Sequence, residues 1–159
     1  MAGCAHLHHD LAMGIREDMP VLASHEGTWA GEYVHVDPAG NILDRHRADL
    51  TCTFPTDGDW PYFQTNVYTW DDGRQDVIKF PAAYRDKAIW FDTDRIDGKA
   101  WEIDDKTVML TWVYKNDPGN YLYEMIQIDA TKQHRARTWH WFEGGELVKR
   151  TLIKESRVN

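Results

Sequence analysis

Two histidines, His35 and His140, stand in stretches that read as β-strands rich in aromatic residues. Histidine titrates near neutral pH, so an imidazole there can exchange a proton without a large pKa shift. Either ring could instead be a hydrogen-bonded strand residue or face solvent. Tyr33, Tyr121 and Tyr123 offer hydroxyls that could polarise a carbonyl or hold a phenol, or else pack as ordinary core. Glu124 lies between Leu122 and Ile126 on an apolar face. A carboxylate there is either buried with a partner or placed at a rim, and Arg137 and Arg150 are the candidate partners. Burial would raise its pKa and make it a candidate general acid; the alternative is an ion pair that closes the fold.

His6, His8 and His9 with Asp10 form another cluster, but the spacing matches no zinc motif, so no metal is expected. The chain has no Gly-rich phosphate loop, nucleophile elbow, His-Glu-x-x-His or cysteine pair at metal spacing. These absences argue against nucleotide cofactors and covalent Ser or Cys hydrolysis, and no cofactor is expected.

The elements that must position these groups are strands. Residues 1–10 read as a flexible tail and 11–159 as one domain. Leu11, Ile15, Met19 and Leu22 share one side of a helical pattern over Leu11–Glu26, which Pro20 splits into two short pieces; it would cap one end of a barrel. Strand patterns then follow over 28–36, 42–54, 62–70, 75–80, 88–93, 100–103, 107–114, 121–129, 135–142 and 147–157. Asp37–Asn41, Asn116–Asn120 and Gly144-Gly145 are the clearest turns. About nine or ten antiparallel strands at hairpin spacing predict an all-β, up-and-down meander, and closure into a barrel removes its exposed edges.

Alternation assigns faces. Trp29, Gly31, Tyr33 and His35 share one face; Ala48, Leu50, Cys52 and Phe54 form an apolar set, as do Val108, Leu110, Trp112 and Tyr114. The 135–142 strand is ambiguous. Charge argues that Arg135 and Arg137 face outward, which turns His140 inward and exposes Trp139 and Trp141. Otherwise a bulge shifts the register near Trp139, or the arginines line the cup.

Eight Trp, seven Tyr and five Phe suit either a ring-packed core or an aromatic cavity, with Trp29, Phe54, Tyr68, Trp112, Trp139 and Trp141 as candidate ligand contacts. A hydrophobic fraction of 42% marks a globular chain, and a net charge of −8 argues against nucleic acid and anionic membranes as partners. No apolar run approaches the roughly 20 residues of a membrane span, no signal peptide is apparent, and two cysteines make no disulfide framework, so a cytoplasmic location is expected. A homodimer is compatible with the sequence.

The run His25-Glu26-Gly27-Thr28-Trp29-Ala30-Gly31, the Asp37-Pro38-Ala39-Gly40 turn and the closing Leu147–Glu155 segment resemble an uncharacterised lipocalin-like family of the calycin superfamily with an H-x-G-T-W-x-G motif. The resemblance covers the two ends of the chain. It implies a calycin barrel in which Trp29 plugs one end and a late arginine, Arg150 or Arg157, stacks on it. Nitrobindin-like haem barrels share the early Gly-Thr-Trp-x-Gly, and that likeness would make His140 an axial ligand. Phenolic acid decarboxylases are similar small barrels that use Tyr, Glu and Arg without a cofactor. The expected function is binding of a small aromatic or apolar molecule, with cofactor-independent acid/base chemistry of the lyase, isomerase or cyclase type. Tyr33, His35, Tyr123, Glu124 and His140 are the expected catalytic groups; the alternative is a non-catalytic carrier.

Overall fold

The computed structural model describes residues 13–159; the N-terminal stretch with Cys4, Leu11 and the His6, His8 and His9 cluster lies outside the described residues. Residues 13–18 are helical, the chain breaks at Met19, and Pro20 opens a second short helix, Pro20–Ala23. The break follows from chemistry: proline has no N–H to continue a helix but suits the first turn of a new one. Ile15, Met19, Val21 and Leu22 are buried and join the core, so the two pieces cap one end of the fold.

Ten antiparallel strands follow: β1 (Gly27–Val36), β2 (Ile42–Thr53), β3 (Tyr62–Thr69), β4 (Gln75–Arg85), β5 (Ala88–Asp92), β6 (Ile96–Glu102), β7 (Thr107–Tyr114), β8 (Asp117–Ile128), β9 (His134–Glu143) and β10 (Glu146–Arg157). Each pairs with its sequence neighbours, and β10 returns to β1, closing the barrel. The expected all-β, up-and-down, lipocalin-like barrel with a short helical cap is therefore present. Alternation decides what fills it. Trp29, Tyr33, Ala48, Leu50, Cys52, Phe54, Val108, Leu110 and Trp112 are all buried on the inner face. No helix among the described residues is long and apolar enough to cross a membrane.

Three segments differ from what the sequence predicts. The 100–103 strand begins earlier, at Ile96, and the 75–80 strand runs on to Arg85. The Asn116–Asn120 turn is confined to residues 115–116, and β8 starts at Asp117. The register there jumps from Val113 opposite Tyr121 to Tyr114 opposite Asp117. Pro118 and Gly119 fall inside that bulge, where the missing proline N–H leaves no ladder bond unmade.

Candidate functional site

The capped end of the lumen holds a buried charge cluster. β9 faces inward with Arg135, Arg137 and Trp139, all buried. This corrects the charge-based expectation: the arginines line the cup and His140 projects outside, exposed, opposite Tyr123 and Arg150 in the register. The reason is partners that strand alternation alone does not reveal. Arg137 Nε donates to Glu124 Oε1 at 2.5 Å and Nη1 to Glu155 Oε1 at 3.3 Å, while Arg135 pairs with Glu155 Oε2. Two cations thus face two carboxylates, and buried charge is tolerable only when so matched. Burial alone would raise the Glu155 pKa; Arg137 and Arg135 outweigh it and hold the carboxyl below its usual range.

Tyr33 completes the cluster. Its hydroxyl donates to Glu155 Oε1 at 2.9 Å and accepts from Arg137 Nη1 at 3.0 Å. Burial pushes its pKa well above the usual phenol value, so it remains protonated and a donor. His25, also buried, accepts from Arg135 Nη1 at 3.0 Å through Nδ1. Burial first, then Arg135, Arg137 and Arg157, push its pKa well below 6.5, which keeps it the neutral acceptor this bond requires.

Trp29 plugs this end. Its indole donates to His25 O at 2.9 Å and lies between the Arg135 and Arg157 guanidiniums, each 4.3 Å from the ring. Arg157 is thus the last-strand partner, Arg135 is a second one, and Arg150 is not one. The glycines around Trp29 explain the motif. A Cβ at Gly31 would lie 2.0 Å from Lys154 O and 2.7 Å from Glu155 Cγ, so only glycine lets the carboxylate enter the lumen beside β1. Gly27 has φ +119°, and a Cβ there would meet Arg157 Nη1 at 2.7 Å.

The opposite end is open. A pocket of about 210 Å³ lies there, walled by Tyr68, Trp70, Trp112, Tyr114, Trp139 and Trp141, with His35 and His46 on one side. Lys149 and Arg95 add positive charge and Asp76 one negative charge. Lys149 Nζ sits 4.6 Å over the Trp141 ring, and Arg74 lies 4.2 Å over Trp70. Beneath it, a void of about 30 Å³ reaches toward Leu22 of the cap; Phe80, Trp112 and Trp139 line both spaces.

His35, Asp44 and His46 cluster on this wall. His35 stands directly opposite Asp44 across the β1–β2 ladder, just before the bulge at Val36. His46 Nδ1 lies 3.1 Å from Asp44 Oδ2, and Trp70 Nε1 donates to the same carboxylate oxygen at 3.0 Å. His35 Nδ1 is 2.7 Å from Thr151 Oγ1, which also accepts from Trp141 Nε1 at 2.8 Å. Burial, then Lys149 and His46, lower the His35 pKa to about 4. Burial would raise the Asp44 pKa, but the Trp70 and His46 hydrogen bonds outweigh it and lower the carboxyl.

The structure therefore divides the expected residues into three groups. Tyr33 and Glu124 meet through Arg137 at the charge cluster, and His35 lies apart at the mouth. Tyr68, Trp112, Trp139 and Trp141 line the mouth, whereas Trp29 and Phe54 pack near the capped end, Phe54 under Arg16. Tyr123 and His140 lie on the outer face, Tyr123 49% exposed, because β8 directs Leu122 and Glu124 inward and β9 its arginines. An outward His140 cannot serve as an axial ligand inside the cup. Tyr121 is also outside, stacked on Phe142 at 5.1 Å. Asp44, His46 and Glu155 were absent from the sequence reading. Alternation run back from Ala48 places His46 and Asp44 inside, and alternation along β10 places Glu155 there with Thr151 and Ile153.

No protein-family profile matches the chain, and no curated protein sequence does. Solved structures do. A protein of unknown function from the DUF3598 family of Nostoc punctiforme superposes with a TM-score of 0.70 at 19% identity, over 86% of this chain and 49% of its own. This chain thus spans about half of that protein. The S-type phycobiliprotein lyase CPES from Guillardia theta superposes with a TM-score of 0.65 at 16% identity, over 97% of both chains. At these identities the likeness is one of fold alone: a closed antiparallel barrel.

Proposed function

We propose that the barrel, taken as one unit over residues 11–159, binds a small aromatic molecule carrying an acidic group. The observation that carries this is the open, aromatic-walled mouth. Its volume of about 210 Å³ is roughly seven waters' share of liquid, room for a small ring system. Trp139 and Trp141 offer faces for stacking. Lys149 and Arg95 favour an anionic substituent on a chain whose net charge is −8. The likeness to a lyase barrel supports a ligand-binding role of this kind.

The test is a tryptophan-fluorescence titration with one- and two-ring aromatic carboxylates and their uncharged amides. The acids should bind more tightly than the amides, and Lys149→Gln should narrow that gap. Trp139→Leu should weaken both, while His140→Ala and Tyr123→Ala, on the outer face, should change neither. No response to any member of the panel would refute the reading.

A second reading is proton transfer on the bound molecule, of the lyase, isomerase or cyclase type. The hydrogen-bonded Asp44–His46 pair beside His35 favours it, because a carboxylate orients an imidazole facing a pocket. Turnover of a bound aromatic acid that disappears in His46→Gln with binding intact would support it.

A further inference from the structure

Among the described residues, one ligand atom from each of His35, Asp44 and His46 lies within 4.8 Å of the others. We infer that these three side chains form a binding site for a divalent transition-metal ion at the mouth of the barrel. This goes beyond the ligand-binding reading and needs no organic ligand to test.

The donor set is chemically suited. Two imidazoles and one carboxylate match the borderline ions, of which zinc is representative, and three protein ligands leave a coordination position open. Metal–nitrogen bonds of about 2.1 Å place tetrahedral ligand atoms roughly 3.4 Å apart. The set must therefore contract by at most roughly 1.4 Å from its 4.8 Å limit, within the reach of side-chain rotation.

The supporting shell is already in place. His35 Nδ1 is engaged by Thr151, which leaves Nε2 free, and Thr151 is held by Trp141. Trp70 donates to Asp44. Such outer contacts fix the orientation of metal ligands. The ladder places His35 opposite Asp44, so the site is built into the β1–β2 hairpin rather than into a loop. Lys149, on the same rim, opposes a cation. Its removal should tighten the ion while weakening an acidic organic ligand, and this contrast separates failure of one reading from failure of the other. A bound ion would also occupy the imidazole nitrogens that proton transfer needs, so those two uses exclude each other.

The experiment is calorimetric titration of Zn²⁺ into chelator-treated protein in which His6, His8 and His9 are replaced by Ala, removing the other histidine cluster. One site per chain is expected. His46→Ala and Asp44→Asn should each weaken it by at least about 10–100-fold, the scale of outer-shell losses. Thr151→Val should weaken it about tenfold, and Lys149→Gln should strengthen it. Co²⁺ should quench tryptophan fluorescence through Trp70 and Trp141, and lose that quenching in the same variants. Absence of binding in the triple-alanine background, or binding unchanged by Asp44→Asn and His46→Ala, overturns the inference. If those two variants fail to fold, unchanged affinity in both Thr151→Val and Lys149→Gln overturns it instead.

Discussion

Arg137→Met is the sharpest perturbation of the lumen. It keeps much of the aliphatic stem and removes one positive charge from a buried group of two cations and two carboxylates. At an effective dielectric of about 20, attraction across the 2.5 Å contact to Glu124 is roughly 7 kcal/mol and across the 3.3 Å contact to Glu155 roughly 5 kcal/mol. Desolvation of all three groups offsets most of this, and breaking a buried pair by removing one partner costs about 3–5 kcal/mol net. For a chain of this length that is a drop in Tm of about 6–20 °C. The Glu124 carboxylate, fully buried, is then left with no cation beside it. Glu124→Gln in the Arg137→Met background removes that orphaned charge and leaves Arg135 facing Glu155. The double variant should therefore recover to within about 1–2 kcal/mol of the parent, since a buried pair replaced as a whole is often near neutral. Urea unfolding followed by tryptophan fluorescence, run on the parent, both single variants and the double, gives the coupling energy. The reasoning fails if Arg137→Met costs less than about 1 kcal/mol, or if the two single losses simply add, as they do for independent sites.

Gly31→Ala places a methyl against Lys154 O and Glu155 Cγ. It should cost about 1–3 kcal/mol or more by overpacking, whereas Ala30→Gly on the opposite face should cost less; thermal melts compare them. Stability should also fall in acid through the two depressed histidines. Below about 6.5 the unfolded chain takes up protons that folded His25 and His35 refuse, so stability is full above that pH and declines as pH falls toward the folded values. Urea midpoints from pH 8 to 5 should show this decline, and His25→Gln should flatten it; a slope unchanged by that substitution would show that His25 is not held neutral.

Much of the fold was legible because it depends on local pattern. Strand alternation over Trp29–His35 and Ala48–Phe54 assigned the inner face of β1 and β2, and Pro20 divided the helical cap where helix chemistry requires. The site was legible only in part. Tyr33 and Trp112 follow from alternation, while Trp139 and Trp141 were named from ring content with their face left open. His140 was misplaced because charge outward is a sound rule for an isolated strand and fails where opposite charges converge, whereas Tyr123 lies outside simply because it alternates with the inward Leu122 and Glu124.

The sequence by itself determined an antiparallel meander, because two-residue periodicity and turn chemistry are written into neighbouring residues; the Trp29 plug was only what the resemblance of the early Gly-Thr-Trp run implied. Tertiary structure alone decided which face of β9 meets the lumen. Glu124 on β8 and Glu155 on β10 come from flanking strands, and their carboxylates make burial of Arg135 and Arg137 affordable. It also decided that His35, Asp44 and His46 form one cluster. That depends on the β1–β2 register, and register is a property of paired strands rather than of either strand alone.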